Sequence, residues 1–332
     1  MKAVVTGGGG FLGAAIARQL IARGDEVVVL GRNRYPEMEA IGCIGQVADL
    51  SKGVPELPEG VDVVFHVAAL AGMWGAYERY FAANVQGTRN IMEAARAQGV
   101  KRFVLTSTPS VAFGGEDVEG ANEAESPYPS EYAFHYAATK AIAEQEVLAA
   151  NANNFATTAL RPQLIYGPGD PHLLPRLLSR QKAGRLRVIG DGKNKVSVTF
   201  VENGAVAHLQ AADALHPGSK NAGKPYFITD LGAPVVCWEW LGACFEQVGL
   251  GPIKGQISRS TALKLAAVVE WVWRTFRLSG DPPATRFAVE GVSSHRWYDV
   301  SAAVEDFGYA PLVSGEEGFS RMVDGLKSSL NA

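Results

Sequence analysis

Through the first half of the chain, short runs of aliphatic and β-branched residues alternate with longer stretches whose apolar positions recur every three to four residues. Lys2–Thr6, Glu26–Leu30, Ile44–Val47, Val61–Val67, Arg102–Ser107 and Thr157–Leu160 read as strands. Leu12–Arg23, Tyr80–Gln98 and Tyr132–Ala150 read as helices between them. Such alternation predicts an α/β protein with a doubly wound parallel sheet. After Arg161-Pro162 the elements shorten and Gly167-Pro-Gly-Asp-Pro171 opens a proline- and glycine-punctuated region. Tyr226–Thr229 reads as a strand that rejoins the main sheet. The expected organisation is one sheet-forming domain over residues 1–165, with 196–230 returning to it, and a smaller, discontinuous C-terminal region over 166–195 and 231–332.

One C-terminal stretch, Leu263 to Leu278, departs from ordinary amphipathic patterning. Wound as a helix, it places Glu270, Arg274 and Arg277 on one stripe and a broad arc of Trp271, Trp273, Phe276 and aliphatic residues elsewhere. It is too short and too charged to span a bilayer, which needs about 20 apolar residues. Three readings stay open: a helix packed on its own domain, a wall of an elongated apolar pocket, or a patch that rests on a membrane or a partner protein.

Composition narrows the function classes. With 47% hydrophobic and 20% charged residues the chain can bury a sizeable core. A net charge of −3 without a basic run argues against nucleic-acid binding. Cys43, Cys237 and Cys244 form no C-x-x-C and read as buried thiols of a reducing compartment. Met1-Lys2 runs straight into the first strand without a leader pattern, so a cytoplasmic location is expected. The histidines show no ligand spacing, and no metal site is expected.

The first strand and first helix are joined by Thr6-Gly-Gly-Gly-Gly-Phe-Leu-Gly13. Gly7 permits the tight turn, Gly10 lets backbone approach a pyrophosphate, and Gly13 lets helix and sheet pack closely. The order strand, glycine turn, helix is that of a Rossmann dinucleotide site, with Phe11 and Leu12 in the same turn. At the end of the second strand, Leu30-Gly-Arg-Asn-Arg34 lacks the carboxylate that would bind an NAD ribose. Arg32 and Arg34 can instead pair with a 2′-phosphate, which predicts NADP(H) and makes residues 1–165 an NADP-binding domain. Asp49 and Leu50 are placed to reach the adenine edge. Ala68, after the fourth strand, lets backbone lie close to the cofactor.

Tyr136-Ala-Ala-Thr-Lys140 supplies the candidate chemistry. Four residues apart on a helix, Tyr136 and Lys140 share a face, and an ammonium beside a phenol favours the phenolate. A hydroxyl such as Thr108 can hold a substrate oxygen next to that phenol. These are the parts of a carbonyl-reducing site.

Assembled, these segments resemble the extended short-chain dehydrogenases/reductases over nearly the whole chain. The matching pieces are the glycine turn, Asn84-Val-Gln-Gly-Thr-Arg-Asn90, Thr106-Ser-Thr108, Tyr136-Ala-Ala-Thr-Lys140 and Leu160-Arg-Pro162. The resemblance implies that Tyr136 gives a proton to the substrate oxygen and that Lys140 lowers its pKa and holds the nicotinamide ribose. Thr108 would polarise the carbonyl in place of the usual serine, with Ser107 as the alternative hydroxyl. Asn84 would be structural or part of a proton relay. Pro109-Ser110 stands where sugar-nucleotide dehydratases carry acidic residues, which disfavours dehydration. Arg161-Pro162 is similar to the 3β-hydroxysteroid dehydrogenase side of the family rather than to the epimerases.

A narrower resemblance rests on Thr106-Ser-Thr-Pro-Ser-Val111, Ala71-Gly-Met-Trp-Gly75, Tyr166-Gly-Pro-Gly-Asp170, Gly190-Asp-Gly-Lys-Asn-Lys195 and Asp306-Phe-Gly-Tyr309. These are similar to bacterial ketoreductases of long-chain olefin biosynthesis. That implies NADPH-dependent reduction of a long-chain 2-alkyl-3-oxoalkanoic acid to its 3-hydroxy acid. Met73, Trp74, Tyr166 and His172 are the expected pocket residues, with His172 or Arg176 as the cation for an acid substrate. The competing activities are a 3β-hydroxysteroid or sterol dehydrogenase, another ketone reductase, a nucleotide-sugar epimerase and a non-catalytic dinucleotide sensor. Family resemblance also implies a homodimer, with room for assembly with other enzymes of the olefin pathway.

Overall fold

The computed structural model describes residues 1–171 and 173–331, and a seven-stranded parallel sheet runs through its centre. The strands are β1 (Lys2–Thr6), β2 (Glu26–Gly31), β3 (Ile44–Val47), β4 (Val63–His66), β5 (Arg102–Thr106), β6 (Ala156–Pro162) and β7 (Pro225–Ile228). Their spatial order is β7-β6-β5-β4-β1-β2-β3, every neighbouring pair parallel. β4 and β6 are buried along their whole length, as strands covered on both faces must be; β6 buries Thr157, Thr158 and Arg161 among its apolar residues. β3 is a four-residue edge strand with Ile44 and Val47 exposed.

Helices cover both faces. α1 (Phe11–Ala22) and α4 (Val201–Ala214) set Ile16, Leu20, Ala205 and Leu209 against Val5 and Val29. α2 (Gly87–Ala97) and α3 (His135–Ala149) set Ile91, Ala95 and Val147 against Val4, Val28 and Phe103. Adjacent residues such as Val4 and Val5 thus feed opposite cores, the period of two that a pleated strand imposes. The sheet changes winding direction between β1 and β4, and a crevice opens there at the carboxyl ends of the strands.

Beyond β6 a second core gathers Tyr166, Leu174, Phe200, Trp238, Phe245 and Met322. The chain divides less cleanly than the sequence reading expects. Val118–Ala121 pairs with Arg296–Tyr298 in a small four-stranded sheet, while Ala303, Phe307 and Tyr309 pack into the core of the large sheet. Residues 201–228 return to the main domain as α4 and β7. The aromatic stretch forms α5 (Arg259–Thr275), followed by α6 (Arg286–Ser293). Ala262, Ala266 and Val289 join these two helices, whereas Leu265, Val268, Trp271 and Phe276 face outward. Among the described residues no helix is long and apolar enough to cross a membrane.

Candidate active site

The glycine turn is built as a cradle. Gly7 sits at φ +67, and a Cβ there would lie 2.9 Å from the Ala68 Cα. A Cβ on Gly13 would lie 2.3 Å from the Gly7 carbonyl oxygen, so α1 can seat against the turn only without a side chain at that position. Gly10 precedes α1 without any side-chain cap, and no acidic residue stands in the first turn. Among the described residues no side chain caps the first N–H groups of α1, which leaves them free for the diphosphate of a dinucleotide. Phe11 begins the helix half-buried, and Leu12 is buried in the core beneath it.

Arg32 and Arg34 both stand exposed just past β2. Arg34 is engaged by Glu39 through a two-pronged contact, Nε to Oε1 at 2.9 Å and Nη2 to Oε2 at 3.0 Å. Arg32 has no carboxylate in ion-pair range among the described residues. Asp49 accepts from the Ser51 hydroxyl at 2.6 Å and the Ser51 N–H at 3.1 Å; these bonds hold its carboxyl below the usual range. Leu50 is a core residue whose carbonyl accepts from Asn90 at 2.6 Å. The Ala68 N–H donates to the Thr6 hydroxyl at 3.1 Å, which ties the end of β4 to β1. His66 is bonded on both ring nitrogens, to Thr6 at 2.8 Å and Thr88 at 2.9 Å, and burial pushes it down to about 3. It is a neutral structural histidine.

α3 presents Tyr136 in its first turn and Lys140 one turn later. Tyr136 is half-buried, with Phe287 edge-on to its ring at 6.3 Å. Burial pushes its phenol up to about 12, a hydrogen bond with the Thr108 hydroxyl draws it back, and Tyr80 adds a further upward push. Lys140 is buried and donates to the Thr106 carbonyl at 2.7 Å. Burial brings Lys140 down to about 8, opposed by Glu144 one turn further along. Glu144 is itself wholly buried, with Arg161 at 2.5 Å and the Tyr128 hydroxyl donating at 2.6 Å. Ser107 is buried with its N–H on the Leu160 carbonyl, while Thr108 is the hydroxyl that meets Tyr136.

Asn84 lies in a π-helical turn, Phe81–Gln86, a departure from α-helix often found at functional sites. Its side-chain oxygen accepts from the Leu70 N–H at 2.7 Å, and its amide donates to the Leu70 carbonyl at 3.2 Å and to Thr139 at 3.1 Å. The loop after β4 is thereby fixed to the helix that carries Tyr136.

A cleft of about 430 Å³ opens beside Tyr136. Met73 and Trp74 line it, together with Phe134 and Phe287. Its far wall is the end of α5, with Trp273, Arg274, Arg277 and Leu278, joined by Arg286 at the start of α6. Of the three readings of the aromatic stretch, this one makes it a pocket wall. Tyr166 corrects the sequence reading: it is buried in the second core, bonded to Asp230 at 3.1 Å and packed on Phe200 and Trp240, and does not line the cleft. His172 lies outside the described residues. Arg176 bonds Asp281 at 2.7 Å and lies 3.4 Å from the Met73 sulfur. Sequence reasoning did not assign the arginines of α5 and α6 to the site, although the Glu270, Arg274, Arg277 stripe on an apolar helix was their visible trace.

Comparison with known proteins identifies the family. The chain is 48% identical to the 2-alkyl-3-oxoalkanoate reductase of Stenotrophomonas maltophilia (strain K279a), across 97% of this chain and 98% of that one. It is 32% identical to the human sterol-4-alpha-carboxylate 3-dehydrogenase, decarboxylating, across 98% of this chain and 88% of that one. In fold it is similar to MoeE5 solved with UDP-glucose and NAD, with a TM-score of 0.73, 24% identity and coverage of 99% and 100%. The model of the 3-beta hydroxysteroid dehydrogenase/isomerase family matches residues 4–257, and the chain belongs to that family.

Proposed function

We propose that this chain is an NADPH-dependent reductase that converts the ketone of a long-chain 2-alkyl-3-oxoalkanoic acid into the 3-hydroxy acid. The observation that carries the reading is Tyr136, half-buried beside Thr108, at a cleft lined by aromatic side chains together with Arg274, Arg277 and Arg286. The name of the Stenotrophomonas relative supports the same substrate class.

A reduced nicotinamide held in this crevice would supply the hydride for the ketone carbon, leaving the carbonyl oxygen as the atom that needs a proton. Tyr136 then gives its Oη proton to the forming alkoxide and is reprotonated from solvent. The lowering expected from Lys140 is not seen: burial dominates, and a phenol held near 12 is fully protonated at neutral pH, as a proton donor must be. Thr108 steadies the oxygen while charge develops, where a positioned donor contributes most. Lys140 and the glycine cradle would hold the cofactor, and Arg32, with no carboxylate in ion-pair range among the described residues, would meet a 2′-phosphate. The reading is tested by NADPH oxidation with a 2-alkyl-3-oxo acid, compared with NADH at equal concentration. Steady turnover with NADPH is expected; no turnover on any such acid would defeat it.

A second reading, a sterol or 3β-hydroxysteroid dehydrogenase, draws support from the human relative. In both relatives' names the carboxylate stands on the carbon next to the one that is reduced or oxidised. A panel of β-keto acids against steroids separates the two readings.

A further inference from the structure

The arginines of the cleft differ in what they already hold. Arg286 is neutralised: the Glu270 carboxylate accepts from its backbone N–H at 2.7 Å and from its Nε at 2.8 Å. Glu270 is the only carboxylate among the described residues that line the cleft. Arg274 and Arg277 have no acidic partner among the described residues, so the cleft carries an excess of positive charge on a chain whose net charge is −3.

Both are solvent-exposed; Arg274 is held by an aromatic contact, and Arg277 is set by its backbone. The Arg274 guanidinium lies 5.6 Å from the centre of the Trp74 ring, which lines the opposite wall. Arg277 occupies a backbone position that suits glycine. It follows the end of α5 at φ +49, and the next residue, Leu278, donates its N–H back to the Trp273 carbonyl at 3.1 Å. Helices that close this way put glycine at the left-handed position, because a Cβ there is strained. Here the strained position carries an arginine that lines the cleft. Backbone strain of this kind concentrates at functional sites.

We propose that Arg274 and Arg277 form a carboxylate-binding clamp that recognises the acid group of a branched, long-chain acid and so sets specificity for acids over neutral ketones. The clamp rests on the substrate class proposed above and takes over the cation role that the sequence reading gave to His172 or Arg176. Planar guanidinium groups suit a carboxylate, and the aromatic walls receive the alkyl chains.

The test uses the full chain and a pair of probes that cannot be reduced: 2-hexyldecanoate and 2-hexyldecan-1-ol, titrated by tryptophan fluorescence at low ionic strength. Wild type should bind the acid at least about tenfold more tightly than the alcohol, the scale of a charge-assisted contact. R274Q should lose most of that preference while alcohol binding stays unchanged. R277G should lose it too, yet melt at the same or a higher temperature than wild type, a combination no purely structural arginine gives. R274K should keep part of the preference. Equal binding of acid and alcohol by wild type, or an undiminished preference in the R274Q/R277G double variant, overturns the clamp. If the acid preference holds but no 2-alkyl-3-oxo acid is reduced, the clamp stands and the proposed reaction falls.

Discussion

Lys140 donates its ammonium hydrogen bond to the carbonyl of Thr106, at 2.7 Å, and so pins α3 to the end of β5. The lysine is almost wholly buried, and burial brings it from its ordinary value of 10.5 down to about 8. Between those values the unfolded chain binds the proton that the folded chain has released. Stability contributed by this group therefore rises with pH across the window. Set against K140M, which has nothing to titrate, wild type should gain roughly 2–3 kcal/mol between pH 7 and pH 10.5. Urea unfolding of both proteins at several pH values measures it, and parallel curves would refute the burial assignment.

The same group governs the alkaline limb of activity. Tyr136, near 12, stays protonated well past neutrality, so the first loss on raising pH belongs to Lys140. The kcat/KM for NADPH should be level below about pH 8 and fall above it, since that parameter reports the free enzyme. K140R should move the limb to higher pH. A profile without a break between pH 7 and pH 9 counts against this account.

Proton donation and oxygen positioning separate by substitution. Y136F should lower kcat by on the order of 10² or more while NADPH still binds. T108S keeps the hydroxyl and should stay within a few-fold of wild type, whereas T108V should fall by on the order of 10². Near wild-type turnover by Y136F would remove the tyrosine from the chemistry.

Cofactor choice should rest on Arg32 more than on Arg34, because Glu39 already holds Arg34 on two prongs. R32Q is expected to raise KM for NADPH by on the order of tenfold or more with NADH kinetics unchanged, as loss of a charged phosphate contact would. R34Q should have the smaller effect. Equal NADPH and NADH losses in R32Q would show that neither arginine reads the 2′-phosphate.

Glu144 and Arg161 are a buried pair, 0% and 2% exposed, so breaking one side strands a charge in the core. E144Q or R161M should cost about 3–5 kcal/mol, and the double variant should recover part of that loss. Chemical denaturation measures all three. A double variant as unstable as the sum of the singles would mean the two residues act independently.

What was legible in the sequence follows the strength of the local physics. The central strands were readable because β-branched runs such as Val27-Val-Val29 and Val63-Val-Phe65, short and bounded by polar segments, suit a buried parallel sheet. The glycine turn was readable because steric exclusion at Gly7 and Gly13 leaves a fixed spacing. The π-helical turn that holds Asn84 was not, since a single widened turn inside a longer helix carries no residue signature of its own. Tyr166 was misplaced because an aromatic residue after a strand fits a pocket and a core equally well; only packing with Trp240 decides. Arg274 and Arg277 were visible as a stripe, but their convergence on Tyr136 needs a fold that brings residues more than a hundred positions apart together.

The wall formed by α5 and α6 is joined through a thin seam of Ala262, Ala266 and Val289, while every group assigned to the chemistry sits on the large sheet and α3. On the proposed reading, part of the substrate's surroundings would come from one piece of the chain and the reactivity from another. Exchanging the segment from Arg259 to Ser293 for that of a relative would redirect the same hydride chemistry to another skeleton, giving evolution or an engineer a cassette that can be swapped without rebuilding the catalyst.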